Sequence, residues 1–542
     1  MSGPVALDLT VIFAAILVLV SLANRIGVAY PIVLVLGGML LGYVPGIPPL
    51  AMPPDVVLTV FLPPLLYWES VSAPTSELFS GSGVWWMFQL AIGLVIVTTL
   101  AVAGVAHALI PGMAWGTALV LGAIVSSTDE VAFGPIIERV RIPRHVIATI
   151  EGESLLNDAT SLVLYGIAVA AVASGTFSLA QGAVSLVVSV VGAIAIGIVA
   201  AGLAVLAWRW TRDDMLQLVV SIMAPYVAYL PALHFGVSGV LAVVTAGLLV
   251  SHFTPRVLLP RARDRAAGFW SSIVFVLNAF IFVLVGMQFR TITAGLAHYS
   301  AWQLALSATA VCLTVIVVRL LWVFGQGLIP ATNEPEHESG EADWSHVFVL
   351  AWSGMRGGIS LAAALAIPIE AASKPFPQRD LIIFLTFCVL LATLVGQGGT
   401  LPWLLRRLNV QDDGTDAREE RIALATTAKA ALKRLDALAK TDGVSPWVHE
   451  VLKRRFNRRW AEYQDQDADE QDGMEAAARD SAELRRLERE LIDAQRKTLI
   501  GLRDGGKVDN TVMRRIQRLL DLQVEEMDLL EQTGRTEVDV EG

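Results

Sequence analysis

Residues 151–158 read Glu-Gly-Glu-Ser-Leu-Leu-Asn-Asp, and the next fifteen residues, 159–173, are almost entirely apolar. The pattern places three carboxylates where a membrane-spanning helix begins, with Asp158 about two turns beyond Glu151. An ionisable side chain at membrane depth costs about 2.5 kcal/mol or more, and it usually lines a cavity or an ion path. A capping cluster at the membrane surface would explain Glu151 but not Asp158. We therefore predict a functional role for Asp158.

Composition indicates a polytopic membrane protein with a separate polar domain. The 542 residues are 54% hydrophobic and only 17% charged, with a mean hydropathy of +0.59. Residues 1–410 hold 17 Lys/Arg and 20 Asp/Glu, whereas residues 411–542 hold 23 and 30. We predict an all-α transmembrane domain at 1–410 and a cytoplasmic, helical, regulatory domain at 411–542.

The apolar segments are numerous enough for about thirteen transmembrane helices, since roughly 20 residues cross the hydrocarbon core and fewer suffice for a broken helix. The segments lie at 5–23, 29–44, 54–69, 83–110, 114–138, 149–173, 178–208, 215–231, 237–252, 268–289, 300–328, 345–369 and 380–405. Loops after odd-numbered segments carry ten Lys/Arg, and loops after even-numbered segments carry three. The positive-inside rule then predicts an external N-terminus and a cytoplasmic C-terminal domain.

Two further segments contain polar interruptions. Residues 126–135 read Ser-Ser-Thr-Asp-Glu-Val-Ala-Phe-Gly-Pro, which suggests a helix that unwinds in the membrane and frees carbonyls for a cation. A re-entrant loop with solvated acids is the alternative. In the twelfth segment, Arg356 lies among glycines and needs a carboxylate partner when buried, for which Glu153 is our first choice. That pair could equally be purely structural, and Arg319 is expected to have a scaffold role.

The sequence shows no sign of an enzyme. The spacings of the histidines and cysteines do not match those of a zinc site. The sequence also contains no P-loop, dinucleotide-binding turn or nucleophile elbow. The cysteines, Cys312 and Cys388, both lie in apolar runs and indicate no disulfide framework. We predict no cofactor and no nucleic-acid partner.

Three motifs resemble those of the first cation:proton antiporter family, the sodium/proton exchangers, in the bacterial NhaP-like form with a long cytoplasmic tail. They are Thr128-Asp129, residues 151–158, and Gly354-Met-Arg-Gly357. The resemblance implies two inverted six-helix repeats joined by the seventh span, broken crossing helices in spans 5 and 12, and a homodimer. One residue departs from the family pattern, since Glu130 stands where proline usually follows the aspartate.

The resemblance also implies roles for individual side chains. Asp158 would bind both the cation and the proton, and Thr128, Asp129 and Ser154 would help to hold the cation. Glu153 is counted with these ion- and proton-binding residues, and Arg356, Glu130 and Arg319 are expected to support the site. Asn157 would stabilise the site, and Glu153 would pair with Arg356.

We expect secondary antiport of Na⁺ or Li⁺ against H⁺ in the cell membrane. Na⁺ would bind at Asp158, Ser154 and Thr128, and protonation of Asp158 would release it. Because Asn157 does not titrate, exchange should be one for one and electroneutral. The alternatives are K⁺/H⁺ antiport, a cation channel, and a membrane-embedded aspartyl enzyme using Asp129 and Asp158.

Overall fold

The computed structural model describes residues 3–45, 57–73, 83–129, 133, 142, 144–174, 179–296, 298–328, 344–371, 374–408, 410, 415–441, 445–464 and 522. The chain divides into two compact units, Met1–Gln411 and Asp412–Gly542. The division falls where the charge content of the sequence rises.

The described part of the first unit is almost entirely helical. An apolar segment in lipid must satisfy its backbone polar groups internally, and an α-helix does so within one segment. The α-helices are α1 Gly3–Ile26, α2 Tyr30–Leu41, α3 Leu62–Ser72, α4 Gly83–Phe88, α5 Val95–Leu109, α6 Trp115–Ser126, α7 Arg144–Ser174, α8 Leu179–Trp210, α9 Asp214–His234, α10 Gly239–Val257, α11 Pro260–Ala294, α12 Ala301–Gly327, α13 Trp344–Trp352, α14 Gly358–Leu365, α15 Arg379–Leu391 and α16 Gly398–Leu408.

Short irregular elements join some of these helices. π-helical turns lie at Val57–Phe61, Gln89–Leu94 and Ala392–Gln397, so α4 runs into α5 and α15 runs into α16 without a break. A two-residue antiparallel ladder pairs β1 (Glu370–Ala371) with β2 (Lys374–Pro375) between α14 and α15.

The predicted helical membrane architecture is confirmed. Each of the thirteen predicted segments overlaps at least one described helix. Within the described residues, seven helical stretches are long and apolar enough to cross a membrane, and four shorter helices are also apolar. The count of thirteen crossings and the inverted repeats stay predictions.

Two non-helical segments meet inside the first unit. Helix α6 ends at Ser126, and residues 127–129 continue as extended chain, while residues 353–357 separate α13 from α14. The backbone N–H of Asp129 donates to the carbonyl oxygen of Met355 at 2.9 Å. The break in the twelfth predicted span is therefore present, and α6 forms the first half of the fifth. Glu130 and most of the second half of that span lie outside the described residues.

Glycines bring some helices into backbone contact. A methyl group placed on Gly286 of α11 would lie 2.3 Å from the Val35 carbonyl oxygen of α2. A methyl group on Gly38 of α2 would lie 2.4 Å from the Val283 carbonyl oxygen of α11. Small residues of this kind let membrane helices approach closely. The α2–α11 pair thus depends on the absence of side chains at both positions.

The described part of the second unit contains two helices, α17 (Thr415–Thr441) and α18 (Pro446–Gln464). Helix α18 begins at Pro446, and proline suits the first position of a helix because its N–H is not needed there. His449 on α18 lies 3.0 Å from Asp436 on α17, which joins the two helices.

Substituting Gly286 with alanine should destabilise the first unit. The added methyl group would push α2 away from α11, and overpacking of this kind costs about 1–3 kcal/mol. Gly268 is the matched control, because it lies on the same helix with no atom within 4 Å of an added methyl group. In thermal unfolding of the purified protein, Gly286→Ala should melt earlier and Gly268→Ala should not. Equal melting temperatures would show that the α2–α11 contact has room to relax.

Candidate functional site

Asp158 lies in the interior of the first unit. It is on α7 and is only 2% exposed. The helix begins at Arg144, five residues before the predicted start at 149, which places Asp158 about 21 Å from the first residue at 1.5 Å per residue. Asp158 therefore lies near the middle of this 31-residue helix.

The Asp158 carboxylate is held by a hydroxyl group and not by a basic side chain. Ser127 Oγ donates a hydrogen bond to Asp158 Oδ1. Ser161 Oγ donates to the backbone carbonyl of Asp158 at 3.1 Å and does not reach the carboxylate. Among the described residues, no arginine, lysine or histidine forms an ion pair with Asp158.

Ser127 was not among the predicted site residues. It belongs to the polar run at 126–135, but nothing in the sequence distinguishes it from Ser126. The two differ because α6 ends between them. Ser126 is the last helical residue and donates back to the Ala123 carbonyl at 2.8 Å, whereas Ser127 is extended and faces α7. Ser127 could have been identified only by knowing that α6 ends at Ser126, because a serine directly after a helix end has its hydroxyl free to reach a neighbouring helix.

Thr128 connects the extended segment to α7 at three points. Its carbonyl oxygen accepts from Ser154 Oγ at 3.1 Å. Its hydroxyl accepts from Asn157 Nδ2 and donates to Glu153 Oε1 at 3.3 Å. The structure thus brings together the predicted residues Thr128, Glu153, Ser154 and Asn157 beside Asp158. Helical spacing explains this, because positions 153, 154, 157 and 158 share one side of α7.

Glu153 pairs with Arg319, not with Arg356 as predicted. Arg319 on α12 reaches both carboxylate oxygens, with Nη1 on Oε1 and Nη2 on Oε2, the latter at 2.8 Å. Arg319 Nη2 also donates to the Leu350 carbonyl at 2.9 Å. Both side chains are buried. A two-point contact is the strong form of an arginine–carboxylate pair, so Glu153 is neutralised by α12.

Arg356 binds backbone carbonyls instead. Its Nε donates to the Val125 carbonyl at 3.1 Å, next to the end of α6, and its Nη1 donates to the Gly354 carbonyl. Its backbone N–H donates to Thr393 Oγ1 at 3.1 Å. Carbonyls at the end of a helix lack partners and carry partial negative charge. Arg356 therefore stabilises the broken end of α6, which accounts for a buried arginine without a carboxylate.

The glycines around Arg356 make room for two charged side chains. A methyl group on Gly354 would lie 2.2 Å from Cδ of Arg319, and one on Gly357 would lie 1.4 Å from Oδ2 of Asp129. Asp129 is buried against the second break. The motif Gly354-Met-Arg-Gly357 therefore supplies the guanidinium group that binds the end of α6. Its glycines leave the space that Arg319 and Asp129 require.

The cluster around Asp158 is rich in oxygen atoms. Asn157 is fully buried, and its Oδ1 has no hydrogen-bond partner among the described residues. No group of three or more His, Cys, Asp or Glu side chains in the described part of the chain could hold a metal ion. Hydroxyl, amide, carbonyl and carboxylate oxygens are the ligands that hard cations prefer.

Comparison with known proteins shows which family and fold the chain resembles. The family described as "Sodium/hydrogen exchanger, transmembrane" matches residues 11–407. The solved sodium proton antiporter MjNhaP1 from Methanocaldococcus jannaschii superposes with a TM-score of 0.59 at 20% identity. The match covers 74% of this chain and 99% of that one, and at this identity it establishes the fold.

Similar sequences carry related names. A protein named as an uncharacterized Na⁺/H⁺ exchanger of Mycobacterium tuberculosis is 35% identical over 96% of this chain and 95% of its own. One from Escherichia coli is 30% identical over 86% and 88%. A sodium, potassium, lithium and rubidium/H⁺ antiporter of Bacillus pumilus is 31% identical over 74% and 62%.

These matches confirm the resemblance inferred from the three motifs. The family consists of cation/proton antiporters, which are membrane transporters and not enzymes. The chain described here belongs to the sodium/hydrogen exchanger family.

Proposed function

We propose that this protein exchanges Na⁺ or Li⁺ for H⁺, one for one, at Asp158. The observation that carries the proposal is a buried carboxylate with a hydroxyl partner and, among the described residues, no ion pair. An unpaired negative charge at this depth is unfavourable, so the carboxylate favours a state in which a cation or a proton neutralises it. Because both compete for the same oxygens, each can displace the other without ATP.

The proposed cation ligands come from the two sides of the cluster. Asp158 and Ser154 lie on α7, and Thr128 lies on the extended segment bonded to it. Asp129 adds a second carboxylate at the crossing, and the free Oδ1 of Asn157 is a further acceptor. A small alkali cation that has lost its water needs several such oxygens.

The charges around Asp158 support electroneutral exchange. Glu153 is bound at two points by Arg319, so its charge is compensated in both loaded states. Asn157 carries no charge. Asp158 then alternates between two neutral forms, one with Na⁺ and one with H⁺, and no net charge is moved.

The main alternative is K⁺/H⁺ exchange at the same site. It is favoured by the Bacillus pumilus relative, whose name includes potassium and rubidium with sodium and lithium. Potassium would require a wider arrangement of oxygens. The channel and aspartyl-enzyme alternatives are set aside because the family consists of antiporters.

The remaining assignments follow from the sequence. Loop charges support a cell-membrane orientation with an external N-terminus and a cytoplasmic second unit. The family resemblance supports a homodimer, and the polar second unit is proposed to regulate transport.

Asp158→Asn should abolish exchange, because an amide can be neither protonated nor a strong cation ligand at physiological pH. The assay is cation-induced dequenching of a pH-sensitive dye in proteoliposomes, with Na⁺, Li⁺ and K⁺ compared. Asp380→Asn is the control, since its side chain is 55% exposed and it should transport normally. Exchange at the wild-type rate by Asp158→Asn would refute the assignment of Asp158. A response to K⁺ equal to that for Na⁺ would decide for the alternative cation.

Removing the Glu153 charge should destabilise the protein, and removing the Arg319 charge as well should restore its stability. Glu153→Gln leaves a buried guanidinium without compensation, at a cost of about 3–5 kcal/mol. The double variant Glu153→Gln/Arg319→Gln should recover most of the lost melting temperature. Glu153→Gln/Arg356→Gln is the matched control and should recover none, because Arg356 binds carbonyls. Recovery by the Arg356 variant would instead support the pairing expected from the sequence.

Exchange should not depend on membrane potential. Proteoliposomes clamped at 0 and at −100 mV should show the same initial Na⁺-driven proton flux, since one unit charge moves each way. Transfer of one net charge would add about 2.3 kcal/mol per 100 mV to the driving force. A flux that changes markedly with the clamp potential would rule out one-for-one exchange, while leaving the role of Asp158 intact.

A further inference from the structure

Five arginines lie in two neighbouring segments, the turn between α8 and α9 and the start of α11. Neither segment belongs to the cluster around Asp158. Arg209 and Arg212 lie at the turn from α8 to α9, and Arg261, Arg263 and Arg265 lie in the first two turns of α11. We call this set the arginine corner.

A buried glutamine ties the two turns together. Gln217 Oε1 accepts from the backbone N–H of Leu259 at 3.0 Å, just before α11. Gln217 Nε2 donates to the carbonyls of Trp208 at 3.2 Å and Thr211 at 3.1 Å. Arg265 Nη1 also reaches Asp214 Oδ2 at 2.6 Å. The two turns therefore form one surface.

The surface has an excess of positive charge. Its acids are three, Asp213, Asp214 and Asp264, against five arginines. Asp213 caps α9 by accepting from the backbone N–H groups of Met215 and Leu216, and Asp214 is paired with Arg265. Within the described residues, the other four arginines form no ion pair. The corner therefore has a charge that an anion would neutralise.

The position of α11 adds to this imbalance. Arg261 and Arg263 lie next to the start of a 35-residue helix that has no acidic residue in its first turn. The start of a helix carries partial positive charge, so basic side chains there are unfavourable in isolation. A bound anion would remove the repulsion.

Apolar side chains border the arginines. Trp210 is 82% exposed beside Arg209, and Met215 and Leu216 of α9 are each 55% exposed. Exposed tryptophan is typical of the boundary between headgroups and hydrocarbon. A ligand here would meet arginines at one end and an apolar helix surface at the other. This combination fits a phospholipid and not a free phosphate ion.

We propose that the arginine corner binds the phosphate of an anionic phospholipid whose acyl chains lie against α8 and α9. Basic clusters at the membrane boundary attract anionic lipids with about 1 kcal/mol per basic residue, or roughly fivefold each. The site is separate from Asp158, and it adds lipid recognition to the transporter.

The test uses the purified full-length protein in a neutral detergent. Dioleoylphosphatidylglycerol should raise the melting temperature and remain bound in native mass spectra, whereas dioleoylphosphatidylcholine should do neither. Glycerol phosphate at the same concentration should have no effect, because it lacks acyl chains. Stabilisation by glycerol phosphate alone would show a soluble-anion site, and equal effects of both lipids would show no headgroup recognition. Either result overturns the proposal.

A matched pair of triple variants locates the site. Arg209→Gln/Arg212→Gln/Arg261→Gln should weaken the response to phosphatidylglycerol at least tenfold. Arg25→Gln/Arg406→Gln/Arg407→Gln removes three arginines predicted to lie on the same side of the membrane and should keep the response. An unchanged response in the first variant means that these arginines serve orientation only, and the proposal is wrong.

A salt titration of the wild-type protein keeps the test decisive if the first variant does not fold. Raising NaCl from 50 to 500 mM should weaken retention of phosphatidylglycerol several-fold, since exposed charges are screened. Retention that does not depend on salt would contradict an arginine–phosphate contact.

Discussion

The cluster around Asp158 depends on one physical constraint. Charge that is buried where α6 and α13 end must be compensated by an opposite charge. Helix α6 ends beside Asp158, and its last carbonyls bring partial negative charge to a place that already contains carboxylates. Arg356 binds the Val125 carbonyl there, and Arg319 binds Glu153. With these two negative groups compensated, the Asp158 carboxylate has no ion-pair partner among the described residues, which supports the proposal that a mobile ion neutralises it. In the proposed mechanism, the contacts that its neighbours already make favour Asp158 as the exchanging group.

Much of this could be predicted from the sequence. Polar residues that interrupt apolar segments are costly in lipid, so Asp158 and the polar run at 126–135 stand out in the sequence. The roles expected for Thr128, Ser154 and Asn157 came from the family resemblance. The helical period then places the α7 residues on one side. Membrane helices were predictable for the same reason, because uninterrupted apolar runs of this length have few other structures available to them.

The partners of the two arginines could not be predicted. The sequence predicts that Arg319 and Arg356 lie at membrane depth, but only the fold decides which of the two reaches Glu153. Nor does the sequence show that backbone carbonyls can satisfy a buried guanidinium, since those carbonyls become available only when α6 ends. Ser127 was missed for a related reason, because its role depends on the residue at which that helix stops. Glu130 lies outside the described residues, so its effect in place of the family proline stays a prediction.

The hydrogen bond from the Asp129 backbone to the Met355 carbonyl has a mechanical consequence. Separating the two non-helical segments would leave the Asp129 N–H and the Met355 carbonyl buried without a hydrogen-bond partner. This costs about 1–3 kcal/mol for each group. The Asp129 side chain also packs directly against Gly357, which strengthens the contact between the two segments. We therefore expect these two segments to move together, so that a cation held there, as proposed, would keep the same oxygen ligands during transport.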